Sequence, residues 1–208
     1  MLFLAAQTVY PQFTDEIINS LQTKPRPTFR FDNRNSIIST RGARINSIKW
    51  GLEYNHVFTL GFGYEWLGSE INRNFYVQST DGITDTVNSA LKMNYMSLFA
   101  EYVFYRDKKW ECFLPISFGI GDAHYSYEYN NEIFRKNHCL ILVYETNITV
   151  QYRVIRWIGV GAGTGYRLMI KGNNMMDENF NSPIYILKMK IYFGDIYTEL
   201  FKKGGTDE

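Results

Sequence analysis

The sequence predicts an all-β fold: an eight-stranded antiparallel up-and-down transmembrane β-barrel with short turns at one end and longer loops at the other. Eight segments alternate apolar residues with glycine or polar residues at period two, the period of a β-strand. Their connections alternate between short and long. The non-apolar faces carry glycines and few charges, whereas a strand face that meets water is normally dense with charged residues. These observations favour a barrel with its apolar side outward and its polar side inward.

Each strand is assigned from its own alternation. The first sets Phe29 and Phe31 against charged residues, and an even strand count requires it. The third and seventh alternate apolar residues with glycine, which leaves room inside a narrow barrel for long side chains from other strands. The fifth contains Pro115, and we expect a β-bulge there because a closed barrel has no free edge. In chain order the predicted strands lie within 28–38, 48–54, 58–67, 96–104, 112–120, 140–151, 158–168 and 185–193.

The connections fix the orientation of the predicted barrel. Short turns fall near Asn55, at 106–109 and at 153–156, and the long connections cover 68–90, 122–137 and 171–182. Short periplasmic turns and longer external loops are the usual layout of bacterial outer-membrane barrels. Aromatic residues near the segment ends suit the two membrane interfaces. They are Tyr54, Trp66, Trp110, Tyr152, Trp157 and Tyr185.

Composition narrows the possible functions. The formal net charge is +1 and charged residues make up 21%, which gives no basic field for nucleic acid. No apolar run approaches the roughly 20 residues of a membrane-spanning helix. The glycine-rich stretch 157–168 does not match the dinucleotide-binding fingerprint G-x-G-x-x-G, because position 162 is Ala162 and position 164 is Thr164. No helical pattern follows it either. We expect no cofactor, no metal site, and no disulfide between Cys112 and Cys139.

The chain divides into three predicted parts. Residues 1–27 are a residual signal or N-terminal segment, with a possible short helix over 13–24 capped by Thr14. Residues 28–193 form the barrel, and residues 194–208 form a periplasmic C-terminal tail.

The pattern resembles the small outer-membrane β-barrel proteins of Gram-negative bacteria, the OmpA/OmpX-like group and its short Bacteroidetes versions. The resemblance rests on "IKWGLEYNHVFTLGFGYEWL" (48–67), "GVGAGTGYRL" (159–168) and "KMKIYFGD" (188–195). It implies location in the cell outer membrane, a lipid environment, and insertion by the outer-membrane assembly machinery. That machinery recognises a final strand that ends in an aromatic residue, and Phe193 could be that residue. We expect a monomer.

Charged residues on the predicted inner faces are nearly balanced, and buried charges must be paired. We therefore expect a structural salt-bridge network that plugs the lumen; a selective pore or proton pathway is the alternative. The network comprises Arg30, Asp32, Arg34, Lys49, Glu53, Glu65, Glu101, Glu145, Arg167, Lys188 and Lys190.

One motif resembles a catalytic site. In "HYSYE" (124–128), His124 and Ser126 lie two residues apart, and the arrangement is similar to the His-x-Ser of outer-membrane lipid A deacylases. That resemblance would make His124 the base and Ser126 the nucleophile, although Tyr127 stands where that family has Asn.

The sequence thus predicts a non-enzymatic outer-membrane barrel with a structural or surface-interaction role through its long external loops; its ligand or protein partner is unknown. Two alternatives remain: an outer-membrane lipid A-modifying hydrolase, and a soluble lipocalin-like ligand carrier, whose barrel would show the same alternation with its faces reversed.

Overall fold

Antiparallel strands form a single closed barrel in the computed structural model. The structure describes residues 14–38, 41–78, 84–129, 132–171, 180–193 and 195–196. A short helix, α1, covers residues 14–21. The strands are β1 (Arg26–Ile38), β2 (Arg41–Tyr54), β3 (Phe58–Leu67), β4 (Asn72–Gln78), β5 (Thr84–Arg106), β6 (Trp110–Tyr129), β7 (Glu132–Ile155), β8 (Ile158–Lys171) and β9 (Ser182–Tyr192). None of the helices among these residues is long and apolar enough to cross a membrane.

Eight of the strands form the ring. Their order is β3-β2-β1-β9-β8-β7-β6-β5, and an additional pairing of β3 with β5 closes it. Every neighbouring pair is antiparallel, which confirms the predicted eight-stranded up-and-down barrel. The turns at 55–57, 107–109 and 156–157 lie at one end, which we call the turn end. The opposite end is called the extended end.

Two of the predicted long loops are in large part strands. Strand β4 pairs with the first residues of β5, and β6 and β7 continue pairing as far as Tyr129 and Glu132. The expectation of loops at 68–90 and 122–137 was therefore wrong over most of their length. The physical reason is that these segments lie beyond the apolar belt, where both strand faces can be partly polar, so alternation is weak. The third predicted loop, 171–182, lies largely outside the described residues.

The outer surface of the ring is apolar. Outward side chains along the strands are large, hydrophobic and widely exposed, with Leu98 71% accessible and Leu187 60% accessible. Phe62, Phe118 and Val160 belong to the same belt. Soluble proteins rarely expose a contiguous apolar surface of this extent, which is what a lipid-facing barrel requires. The predicted direction of the two faces is thus the observed one.

The interior has two regions with different chemistry. Toward the turn end and in the middle it is filled by charged residues, as described below. Toward the extended end it is an apolar core, which the expectation of a polar lumen did not include. That core comprises Ala43, Ile45, Ile71, Leu91, Met93, Tyr95, Ala123, Tyr125, Cys139, Ile141, Val143 and Phe180. The extended sheet continues past the apolar belt and must therefore bury apolar area of its own, which this core provides.

Pro115 interrupts one ladder without a bulge. Strand β6 pairs with β7 at Phe113↔Thr149 and again at Ile116↔Thr146, with the same register on both sides of the gap. The expected bulge at this position was therefore wrong, because the missing N–H is accommodated by an unpaired step. Glu101↔Pro115 keeps the pairing with β5.

The N-terminal helix lies near the turn end. Tyr102 Oη donates to Glu16 Oε2 at 2.7 Å, which links α1 to β5. The apolar side chains of Ile18 and Leu21 in α1 remain about half exposed. Residues 1–13, including Phe13 and the predicted signal remnant, lie outside the described residues, as do residues 197–208 of the predicted tail.

Candidate functional site

The lumen contains a network of charged side chains arranged in successive groups of ion pairs. All eleven residues expected there point inward and are buried, with Arg167 and Glu65 at 0% exposure. Strand alternation explains this placement, because each of them except Arg34, which lies between two asparagines, follows or precedes an outward apolar residue by one position. Their charges are paired across the barrel, between strands that are distant in sequence.

The centre of the network is built around Glu145 on β7. Its carboxylate accepts hydrogen bonds from the guanidinium of Arg34, from Arg167 Nε at 2.5 Å and from Tyr95 Oη at 3.2 Å. Arg34 also donates to Glu65 Oε1 at 3.2 Å. Two cations therefore share one buried carboxylate through charge-assisted hydrogen bonds. Arg34 has a second acidic partner in Glu65, whereas Arg167 also donates to the neutral Ser36 Oγ at 3.3 Å.

A second group joins the first through Lys49. Its Nζ lies 3.7 Å from Asp32 Oδ2 and 3.6 Å from Glu65 Oε1. Ser97 Oγ donates to the same Glu65 oxygen at 2.7 Å. These contacts join four consecutive strands of the ring, β1, β2, β3 and β5, and the Arg34–Glu145 pair links them to β7 across the barrel.

Glu101 forms the next layer toward the turn end. It pairs with Arg30 and lies 3.7 Å from Lys188 Nζ. Arg30 also lies over the Phe99 ring, and Lys188 Nζ lies 4.0 Å from the centroid of the Phe113 ring. Aromatic faces of this kind stabilise cations that have lost their water.

The turn end is closed by a third layer. Glu53 pairs with both Lys190 and His56. Glu111 accepts from Tyr192 Oη at 2.7 Å and from Arg153 at 3.0 Å. Arg153 and Glu111 were not among the expected lumen residues.

Sequence reasoning missed three inward groups that matter here. Glu111, Phe99 and Phe113 are all less than 5% exposed and face the lumen. Each lies on the inner-face parity of its strand, so strict extension of the alternation would have identified them. Apolar residues were assigned outward on their chemistry, which hid the two phenylalanines.

The filled lumen leaves almost no free space. Between Arg30, Asp32, Lys49, Glu101 and their neighbours, the volume open to the centre of a water molecule is about 10 Å³. One water molecule needs about that much. The interior therefore has room neither for a carried ligand nor for a hydrated ion path through this layer.

The suspected catalytic pair does not form a hydrogen-bonded dyad. His124 and Ser126 both lie on β6, on the face opposite the buried Ala123 and Tyr125. Among the described residues, the hydrogen-bond partner of the His124 side chain is Asp122 and not Ser126. His124 Nδ1 lies 3.2 Å from Asp122 Oδ2. His138 of β7 lies on the other side of the same carboxylate. The structure thus brings together an aspartate and two histidines that sequence spacing had left apart.

Comparison with known proteins supports the fold. The sequence matches no family model and no curated protein. Among solved structures, Neisserial surface protein A is similar with a TM-score of 0.58 and 14% identity, covering 80% of this chain and 97% of that one. The chain has the fold of this surface protein. Ail, the attachment invasion locus protein of Yersinia pestis, has a TM-score of 0.48, 12% identity and coverage of 81% and 99%. The N-terminal β-barrel domain of Pseudomonas aeruginosa OprF has a TM-score of 0.43, 11% identity and coverage of 81% and 98%.

Proposed function

We propose that this chain is a non-conducting, non-enzymatic integral protein of the bacterial outer membrane that displays a rigid β-sheet outside the cell for interaction with a partner. The observation that carries the proposal is that several strands are much longer than a membrane-crossing strand needs to be. Strand β7 has 24 residues and β5 has 23, whereas a membrane-crossing strand needs about 9–11. More than half of each strand is therefore available beyond the membrane.

The membrane location rests on the two faces of the ring. Outward residues are apolar, and the charges are inside and paired. This arrangement is favourable in lipid and unfavourable for a protein surrounded by water. A lipocalin-like carrier would need the reverse faces and a free internal cavity, and neither is present in the described residues.

The structural role of the lumen charges follows from their packing. Each carboxylate of the network contacts at least one cation, and the remaining space is about that of a single water molecule. We infer that the network seals and rigidifies the barrel instead of conducting ions or protons. A sealed barrel transmits nothing, so its activity must lie at its exposed ends.

The extended sheet is the surface most suited to contact. It combines β4 with the projecting parts of β5, β6 and β7, and Phe75 packs against Tyr125 with ring centroids 5.2 Å apart. Its exposed side carries Tyr76 at 74% and Ile133 at 75% accessibility. Large exposed side chains on a rigid sheet are typical of recognition surfaces. The lipid A hydrolase alternative lacks the Ser–His contact that a nucleophile requires.

Surface labelling of intact Gram-negative cells tests this proposal. A Tyr76→Cys variant is expected to react with a membrane-impermeant maleimide on intact cells. The matched control, Lys108→Cys in a turn at the opposite end, is expected to react only after the outer membrane is disrupted. The reverse labelling pattern would show that the extended sheet is periplasmic. In planar bilayers, the purified wild-type protein is expected to give no stable ion conductance, and a stable open channel would contradict a sealed lumen.

A further inference from the structure

Three metal-ligating side chains meet on the outer face of the barrel just beyond the apolar belt. Asp122 and His124 are on β6, and His138 is on β7. Asp122 Oδ2 lies 3.2 Å from His124 Nδ1 and 3.5 Å from His138 Nε2. One donor atom from each of the three lies within 4.8 Å of the others. On their strands, Asp122 follows the lipid-facing Ile120, and His138 precedes the lipid-facing Leu140.

The two histidines lie on the same side of the barrel because each is next to a buried residue, Ala123 or Cys139, and these two residues pair with each other. Strand β6 pairs with β7 at Ala123↔Cys139 and at Tyr125↔Lys136, so His124 alone opposes both Asn137 and His138. The extra residue changes the register beyond His138, so that Lys136 and not Asn137 pairs with the buried Tyr125. Asn137 has φ 56°, the left-handed conformation that lets the chain make this step. Bulges of this kind commonly re-aim a side chain next to a functional site.

The geometry suits a small tetrahedral cation. At metal–ligand distances of about 2.0–2.1 Å, neighbouring ligands of a tetrahedral site are about 3.3–3.4 Å apart. The two distances from the Asp122 oxygen, 3.2 and 3.5 Å, lie on either side of that value. The imidazole rings are nearly parallel, with an interplanar angle of 17° and centroids 5.9 Å apart. A small movement of the exposed His138 ring would complete the site.

The ligand chemistry selects the class of ion. Two imidazole nitrogens and one carboxylate favour Zn²⁺ and its transition-metal neighbours over Mg²⁺ and Ca²⁺, which prefer oxygen ligands. Three protein ligands leave a coordination position open. Lys92 pairs with His124 in register and is exposed, and its positive charge opposes a bound cation.

We propose that Asp122, His124 and His138 form a binding site for one divalent transition-metal ion of the Zn²⁺ class, with an open coordination position toward the exterior at the outer edge of the apolar belt. This site is independent of the proposed display role. It needs only the folded barrel, in which β6 pairs with β7.

Titration of the refolded protein with Zn²⁺ in detergent micelles, followed by calorimetry, tests the proposal. We expect saturable binding of one ion per chain, and no comparable binding of Mg²⁺ or Ca²⁺ at the same concentrations. His138→Gln and Asp122→Asn are each expected to weaken the affinity at least tenfold, whereas Lys92→Ser should strengthen it. His56→Gln replaces the remaining histidine of the chain, which lies at the turn end, and should leave the affinity for Zn²⁺ unchanged.

Substitution with Co²⁺ gives a second readout, because the intensity and position of its visible bands report coordination number and geometry. The spectrum of a low-coordinate Co²⁺ site is expected with the wild type and not with His138→Gln. Folding of each variant is checked by its heat-dependent gel migration, and His138 is exposed enough to tolerate replacement. Absence of saturable Zn²⁺ binding would overturn the proposal. Binding that is the same in His138→Gln as in the wild type would overturn it equally.

Discussion

Removal of the Glu145 carboxylate should destabilise the barrel more than any surface change of the same size. Glu145 is 2% exposed and accepts hydrogen bonds from Arg34, Arg167 and Tyr95. In Glu145→Ala, Arg34 keeps Glu65 at 3.2 Å, but the remaining side-chain hydrogen bond of Arg167 found in the described residues is to Ser36 Oγ at 3.3 Å. A buried guanidinium would thus lose its counter-charge. Breaking a buried ion pair from one side costs about 3–5 kcal/mol.

A double replacement separates pairing from packing. In Glu145→Leu with Arg167→Leu, the unpaired charge disappears together with its partner, while Arg34 retains Glu65. We therefore expect the double variant to lose less stability than the sum of the two single leucine variants, with a coupling energy of roughly 1–3 kcal/mol. Glu132→Ala, at an exposed position of the same strand, should stay within about 0.5 kcal/mol of wild type.

Urea unfolding in lipid vesicles, followed by tryptophan fluorescence, measures these differences by linear extrapolation. A loss below about 1 kcal/mol for Glu145→Ala would refute the reasoning, because a buried pair cannot be broken so cheaply. Single-variant losses that simply add in the double variant would show that the two side chains do not act as a pair.

Two further substitutions test the walls of the barrel. Leu98→Arg places a charge on the lipid-facing side of β5 and should lower the free energy of unfolding in vesicles by about 2–4 kcal/mol. Asn88→Arg, on the same strand beyond the apolar belt, should be nearly neutral. Equal losses for the two variants would mean that both positions meet water. Gly121→Ala should destabilise by about 1–3 kcal/mol because its Cβ would lie 2.1 Å from the Asn94 carbonyl oxygen, whereas Gly42→Ala has nothing within 4 Å and should be neutral or slightly stabilising. A harmless Gly121→Ala would show that β5 and β6 are not packed so closely.

The glycines of 157–168 show how far sequence reasoning reached. Their inward direction follows from alternation with Val160 and its outward neighbours. Their purpose differs from the expected one, since a Cβ at Gly161 would meet the Val150 carbonyl oxygen at 2.9 Å and the Gln151 Cα at 3.2 Å. Gly161, Gly163 and Gly165 let the backbones of β7 and β8 approach closely, whereas Gly159 faces the Gln151 side chain. The space they leave is used by a neighbouring strand and not by distant charges.

The expectation that glycine admits long side chains holds elsewhere in the ring. A Cβ at Gly119 would lie 2.5 Å from the Tyr95 ring, which therefore occupies the space above that glycine. Whether a given glycine faces a side chain or a neighbouring backbone depends on strand register. Register across a barrel is set by contacts between strands that one sequence alone does not reveal.

The apolar core at the extended end had a sequence signal. The stretch "CLILV" (139–143) is apolar on both faces, and in the structure Leu140 faces outward while Ile141 is completely buried. A continuous apolar run in a strand indicates burial on one side and lipid on the other. Strand β4, "NRNFYVQ", gave no comparable signal because its side chains are mostly polar. The cluster of Asp122, His124 and His138 depends on the register between β6 and β7, which one sequence alone does not reveal.

Membrane fractionation combined with gel electrophoresis tests the central claim most directly, because a closed barrel in lipid has two measurable consequences. The protein should remain in the outer-membrane pellet after washing with urea, and its folded form should migrate differently from the boiled form in detergent gels. Release into the soluble fraction together with a single migration position would contradict a transmembrane barrel with its apolar face outward.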